Sequence, residues 1–219
     1  MSNLTYRRAE IEWALWRLLR ARGAPAEPST EFTNRIKKLL DLDRAERSAK
    51  AFAFSAEAPT GTGREAAFTP FDVFCLAIAL DLLDIGLKQA EVVQLILYVR
   101  DVLADAYAEI DMNYPPSRKN YAPEKHHRTP QIERSGIKTA DVDVYLVLQT
   151  AETKSVYQPI PTTTSKRIAP PRYGARLFVG QSEVLAAIGK NRRALVFELY
   201  AYSSIRGCLD RAASTLGKN

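Results

Sequence analysis

The chain carries two histidines, His126 and His127, which are adjacent in a proline-rich stretch. Histidine is the commonest general base and a frequent metal ligand. Adjacent side chains do not converge readily on one metal ion, and no cysteine accompanies this pair. A Ser-His-Asp arrangement would have to use the same two residues, because the sequence has no other histidine. We therefore expect neither a metal centre nor nucleophilic catalysis.

A glycine-rich run, Pro59–Arg64 (PTGTGR), could in principle cradle a phosphate. It lacks the Lys-Ser/Thr pair of a P-loop and follows no continuous buried strand, so a hairpin turn is the better prediction. Carboxylates also cluster on two predicted helices, where an i, i+4 pair is more typical of a solvated face than of a metal site. These carboxylates are Asp81, Asp84, Glu91, Asp101 and Asp105. The sequence therefore predicts a protein that is not an enzyme and uses no cofactor.

Side chains that bind phosphates and base edges are concentrated in the first third of the chain. Asn34 could read adenine and Arg35 guanine by paired hydrogen bonds, while lysines, arginines and threonine hydroxyls could contact phosphates. The predicted DNA-binding residues are Thr33, Asn34, Arg35, Lys37, Lys38, Arg44, Arg47, Lys50, Thr60, Thr62 and Arg64. If the helix and the glycine-rich turn are neighbours, this set would converge on double-stranded DNA.

The charge of the 219-residue chain is unevenly distributed. The total is +6, from 31 lysines and arginines against 25 acids. It divides into +4 over residues 1–50, −7 over 51–111, +4 over 112–138 and +5 over 139–219. An acidic block between basic ones favours particular faces that meet a polyanion, although a basic excess common to all proteins of the host is the alternative.

Apolar residues at helical spacing predict four helices in the first half of the chain. These span about 6–22, 31–44, 70–84 and 88–111. Thr30 is the expected N-cap of the second helix. Thr69-Pro70-Phe71-Asp72 is a typical start for the third, and Gly86 is its expected C-terminal cap. Two short runs around the glycine-rich turn predict a β-hairpin within residues 50–69.

The second half of the chain begins with a predicted linker over residues 112–140, where Tyr-Pro-Pro and Tyr-Ala-Pro interrupt any helix. Beyond it we expect strands and short helices. The strands span 141–150, 176–179 and 194–202, and the helices span 181–188 and 203–216. The predicted fold class is α+β, with a mostly helical winged helix at 1–111 followed by a small α+β domain at 141–219.

The clearest resemblance to a known protein family lies in residues 64–97. Its positions are Arg64, Phe68-Thr69, Asp72-Val73, Ile78, Leu82, Gly86-Leu87, Glu91-Val92 and Leu95-Ile96. With the order helix, helix, hairpin, helix and longer helix, these residues resemble the MerR-like winged-helix family of bacterial transcription regulators. Residues 32–36 (FTNRI) stand where that family has Thr-Leu-Arg-Tyr-Tyr-Glu. The open alternative is an unrelated four-helix bundle with a hairpin insert.

The resemblance implies a homodimer that binds DNA, with the second helix in the major groove and the hairpin on the backbone. The long fourth helix would then join the two copies through an apolar stripe. The predicted dimerisation residues are Val92, Leu95, Val99, Leu103, Ala106 and Ile110. Burial of this stripe within the same chain is the alternative. The C-terminal domain is a candidate site for an unknown effector. The alternative function is a protein- or RNA-binding adaptor that uses the winged helix.

Location is predicted from what the sequence lacks. No apolar run reaches the roughly 18 residues that could span a bilayer, and the first residues lack the apolar core of a signal peptide. We therefore expect no membrane partner and a cytoplasmic protein, associated with the nucleoid when bound. Cys75 and Cys208 are the two cysteines, and both lie in apolar helical contexts that predict buried thiols.

Overall fold

A computed structural model describes residues 4–20, 23–45, 52–55, 66–113, 144–150, 173–188 and 194–217. The described elements are six α-helices, a 3-10 helix and a three-stranded sheet, which confirms the predicted α+β class. The helices are α1 (Arg8–Leu19), α2 (Thr30–Ala45), α3 (Pro70–Asp84), α4 (Gln89–Asn113), α5 (Gln181–Ile188) and α6 (Ile205–Leu216). The strands are β1 (Val144–Thr150), β2 (Tyr173–Val179) and β3 (Ala194–Glu198), with the 3-10 helix at Leu199–Tyr202.

Helix α3 begins and ends where its end residues predict. The Thr69 hydroxyl accepts a hydrogen bond from the Asp72 backbone N–H, and the Asp72 carboxylate accepts one from the Thr69 N–H in return. This reciprocal pair is a capping box, with Pro70 at the first helical position. At the other end Gly86 has φ 97°, and the N–H groups of Gly86 and Leu87 donate to the carbonyls of Leu83 and Leu82. That is a Schellman motif, which needs the left-handed backbone that glycine adopts most easily.

The N-cap of α2 differs from the prediction by one residue. Thr30 is the first helical residue, and Ser29 caps the helix instead. The Ser29 hydroxyl accepts a hydrogen bond from the Phe32 N–H at 3.2 Å, and its carbonyl accepts one from the Thr33 N–H. Either residue type can cap a helix, so only the backbone path distinguishes Ser29 from Thr30.

The predicted hairpin is only partly described, because residues 56–65 lie outside the described residues. The first predicted run is not a strand where it is described, since Ala53 and Phe54 form a bend. Their N–H groups donate to the Asp43 carboxylate instead of to another strand. Beyond the turn, Phe68 pairs with Tyr6 through two backbone hydrogen bonds, of 2.9 and 3.0 Å. The residues that flank the predicted turn are therefore held by α2 and by the N-terminal segment.

The sheet has the order β2-β1-β3, and both pairs are antiparallel. Because side chains alternate along a strand, Val144, Leu146 and Leu148 of β1 face the core together. Helix α5 packs on the sheet through β2 and β1. The predicted third strand is shorter than expected, because the chain turns into the 3-10 helix after Glu198.

Described residues from both halves of the chain form one hydrophobic core. Helix α6 packs along α1, and the Tyr6 hydroxyl donates to Asp210 across this contact at 2.8 Å. The Tyr202 hydroxyl donates to Asp81 of α3, and burial raises the pKa of both groups. Most of the predicted linker lies outside the described residues, so the division into domains stays a prediction. The common core nevertheless joins the C-terminal helix to the N-terminal helices.

Candidate nucleic-acid interface

Helix α2 carries the candidate interface, and its buried face fixes which side chains point outward. Four apolar residues of the helix, Phe32, Ile36, Leu39 and Leu40, are buried in the common core. The edge of the Trp16 ring packs against Phe32 with their centroids 5.1 Å apart. Since the apolar stripe is anchored on one side, the opposite side of the helix must face solvent.

Three of the predicted DNA-binding residues lie on this exposed side. Asn34, Lys37 and Lys38 are all exposed, and Arg44 is half-buried at the last turn. Two acids, Glu31 and Asp41, are exposed on the same helix. The described surface of α2 is therefore polar and mixed in charge, with its positive groups in its middle and last turns.

Arg35 does not lie free for base recognition, in contrast to the prediction. Its guanidinium forms an ion pair with Asp84 of α3 at 2.6 Å and donates to the Leu80 carbonyl at 3.4 Å. Arg35 therefore connects α2 to the end of α3, and its guanidinium is not available for guanine recognition. Thr33 is half-buried, and its hydroxyl donates to the Thr30 carbonyl within the helix. The Thr33 contact is a local one within a helix, whereas the Arg35 pair joins residues 49 positions apart and could not be inferred from helical spacing.

The remaining predicted DNA contacts belong to parts of the chain that the structure does not describe. Arg47, Lys50, Thr60, Thr62 and Arg64 lie outside the described residues, as do His126 and His127. The convergence of the glycine-rich turn with α2 consequently stays a prediction.

The apolar stripe of α4 is buried within the chain itself. Its six residues, Val92, Leu95, Val99, Leu103, Ala106 and Ile110, are each no more than 4% exposed. Helix α4 packs against α2, α3, both β1 and β2, and the 3-10 helix, so the chain covers the stripe on its own. The prediction that this stripe joins two copies is therefore wrong, and the alternative of burial within one chain holds. Homodimerisation through another surface stays a prediction.

A buried polar network that the sequence analysis missed holds residues 52–55 beside α2. The Asp43 carboxylate accepts the N–H groups of Ala53 and Phe54 at 2.8 and 3.0 Å. Arg100 of α4 donates to the Ala53 carbonyl and forms an ion pair of 2.5 Å with Asp72. The network thus connects α2, α3 and α4 to the segment that leads into the predicted hairpin. Only the capping role of Asp72 was visible in the sequence.

Burial raises the pKa of Asp43 above its ordinary 3.8, although the two N–H donors and the Arg100 charge act in the opposite direction. Ionisation of Asp43 is therefore harder in the folded chain than in the unfolded one. Its favourable contribution is fully present below 3.8 and is lost as the pH rises through the raised value.

We expect the unfolding free energy of the wild type, minus that of Asp43→Asn, to shrink between about pH 3 and pH 7. The amide does not titrate, so the subtraction isolates Asp43 from the other acids. Urea unfolding at several pH values measures this difference. A difference that grows with pH would show that the N–H donors outweigh burial.

The acids of α3 contact other side chains of the fold, and the two thiols are buried in it. Asp72, Asp81 and Asp84 contact Arg100, Tyr202 and Arg35 respectively. Burial confirms the prediction for Cys75 and Cys208, and it raises the pKa of Cys75 to about 12. No group of three metal-ligating side chains occurs among the described residues. In that same part of the chain, no helix combines the length and hydropathy that crossing a bilayer requires.

No family model matches this chain, and no curated protein matches it either.

Proposed function

We propose that the chain is a sequence-specific, double-stranded DNA-binding transcription regulator that acts as a homodimer. The observation that carries the proposal is the exposed face of α2, which presents Asn34, Lys37 and Lys38 from a helix anchored by its opposite face. An α-helix with its side chains is about 10–12 Å in diameter, which matches the major groove of B-DNA, about 12 Å wide.

The positive groups of this face support phosphate contacts. Lys37 and Lys38 are both exposed on the side of α2 opposite its buried apolar residues. A lysine that neutralises a phosphate releases condensed counterions, which gives affinity that falls steeply with salt. The acids of α3 are paired within the fold, so they do not add free negative charge beside this face.

The dimer, the effector and the location belong to the same proposal. A homodimer would need a surface other than the α4 stripe, because that stripe is core. An effector of the C-terminal residues would act on DNA binding through the common core that joins α6 to α1. A regulator of this kind would work in the cytoplasm, on the nucleoid.

The test replaces Lys37 and Lys38 together with alanine in the full chain. We expect the binding of duplexes with a randomised core, measured by gel retardation, to weaken about thirtyfold for each bound protomer, the loss of two charge-assisted contacts worth about 2 kcal/mol in all. The slope of log affinity against log salt, measured between about 50 and 200 mM, should fall by about 2 for each bound protomer.

The matched control is Arg176→Ala with Arg211→Ala, which removes two exposed positive charges from β2 and α6. We expect this control to keep the salt slope of the wild type, because the charges it removes lie off α2. Equal weakening by both double variants would show that net charge alone attracts DNA and that α2 is not the interface. Thermal melts of both variants verify that each is folded.

A further inference from the structure

Asp41 occupies the middle of the exposed face of α2, a position that the predicted DNA contacts left out. Successive residues of an α-helix are rotated by about 100°, so Asp41 lies only about 20° from Asn34 around the axis. Both side chains are exposed and point away from the buried stripe. Asn34 and Asp41 therefore define the outermost line of the helix.

The positive side chains of α2 flank this line and do not interrupt it. By the same rotation, Lys37 and Arg44 lie about 60–80° to one side, and Lys38 lies about 40° to the other. Glu31 shares the side of Lys38 but lies in the first turn, where an acid interacts favourably with the helix dipole. The face thus has hydrogen-bonding groups along its centre and cations on both flanks.

This arrangement corresponds to the environment of a helix in the major groove. The centre of such a helix faces the base edges, whereas its flanks face the phosphates of the two strands. A carboxylate on a flank would meet phosphates and repel them. A carboxylate on the centre line can instead accept a hydrogen bond from the N4 amino group of cytosine, the base that presents a donor but no acceptor there.

No contact between Asp41 and the described residues explains its place on this line. Among the described residues, no side chain forms an ion pair with Asp41, and no donor bonds to it. Of the other described acids on α2 and α3, Asp43, Asp72, Asp81 and Asp84 are each bonded, and Glu31 is exposed in the first turn of α2. Within the described residues, Asp41 thus has no bonded partner of its own.

We propose that Asp41 is a specificity-determining residue that selects a cytosine in the DNA site. This inference rests on the proposed DNA-binding function. Asn34 would contact an adenine in the same site. The seven residue steps from Asn34 to Asp41 span about 10.5 Å along the helix, so the two selected bases would lie about three base-pair steps apart.

The experiment selects duplexes from a randomised pool with the wild-type chain and with Asp41→Ala, Asp41→Asn and Glu31→Gln. Asp41→Ala should lose the preference for one cytosine by about tenfold, the lower part of the range for one base contact. Asp41→Asn should move that preference to adenine, which an amide binds by two hydrogen bonds. Glu31→Gln removes the same charge from the same helix and should leave base preference unchanged.

The outcomes separate this inference from the function on which it rests. Loss of one cytosine preference in Asp41→Ala, with the rest of the selected site retained, supports it. If Asp41→Ala instead tightens binding to every duplex and selects the same site as the wild type, Asp41 is only a repulsive charge, while the proposed function stands. A wild-type chain that enriches no sequence overturns both. Alanine and asparagine at an exposed helical position should preserve the thermal melt, which checks folding.

Discussion

Replacing Arg100 with methionine should lower the free energy of unfolding by about 3–5 kcal/mol, the usual cost of removing one partner of a buried ion pair. Asp72 is 1% exposed, so its carboxylate would stay buried without a cation. The Ala53 carbonyl would lose its donor, and the guanidinium would no longer lie over the Phe71 ring, where it is 4.9 Å from the centroid. Methionine keeps most of the aliphatic volume, so the loss reports the charge and its hydrogen bonds.

The double variant Arg100→Met with Asp72→Asn provides the control. Asparagine removes the unpaired charge but can still accept the Thr69 N–H that caps α3. We therefore expect the double variant to be more stable than Arg100→Met alone. Urea unfolding of the wild type, Arg100→Met, Asp72→Asn and the double variant gives the coupling energy between the two sites. Strictly additive losses, or a loss under about 1 kcal/mol for Arg100→Met, would show that the pair is solvated and contributes little.

The parts of the fold that the sequence predicts best are those determined by neighbouring residues. Helix α3 has its predicted bounds because Thr69, Pro70 and Asp72 satisfy its first turn locally and Gly86 ends it. The buried and exposed faces of α2 follow from the spacing of its apolar residues. The sequence therefore predicts that Asn34, Lys37 and Lys38 lie on the surface, and all three are exposed.

Contacts between residues far apart in the chain could not be predicted in the same way. Asp43, Ala53, Asp72 and Arg100 meet only because α2, α3 and α4 pack together, and no spacing in the sequence signals such a meeting. The same reason explains why Ala53 is not in a strand. Phe52 and Phe54 alternate with small residues as in a strand, but the buried Asp43 carboxylate accepts the N–H groups of Ala53 and Phe54. The pairing of Arg35 could not be predicted either, because its partner, Asp84, is 49 residues away in the chain.

Helical spacing also cannot distinguish a stripe that packs inside one chain from a stripe that packs between two. The α4 stripe is regular from Val92 to Ile110 in either case, and its length suggested a partner helix. The sheet and the 3-10 helix, which pack against α4, are formed by residues from 144 onwards. Their position over α4 is a tertiary property, so the choice between the two alternatives required the structure.

The corrected role of α4 leads to a second large expected effect, the destabilisation caused by Leu103→Ala. Leu103 is fully buried, and truncation of a buried leucine costs about 2–5 kcal/mol through lost burial and a residual cavity. Leu185→Ala makes the same chemical change on α5, where the side chain is 62% exposed, and should cost no more than about 0.5 kcal/mol. Denaturant unfolding of both variants measures the two losses.

Protein concentration separates a core role for Leu103 from a role between copies. Because α4 packs within one chain, the loss caused by Leu103→Ala should be the same at every concentration, including those at which sedimentation shows a monomer. If Leu103 contacted a second copy, the loss would be linked to dissociation and would vanish in the monomer. A loss that disappears on dilution would therefore return the stripe to the dimer interface, whereas a constant loss leaves any homodimer to another surface.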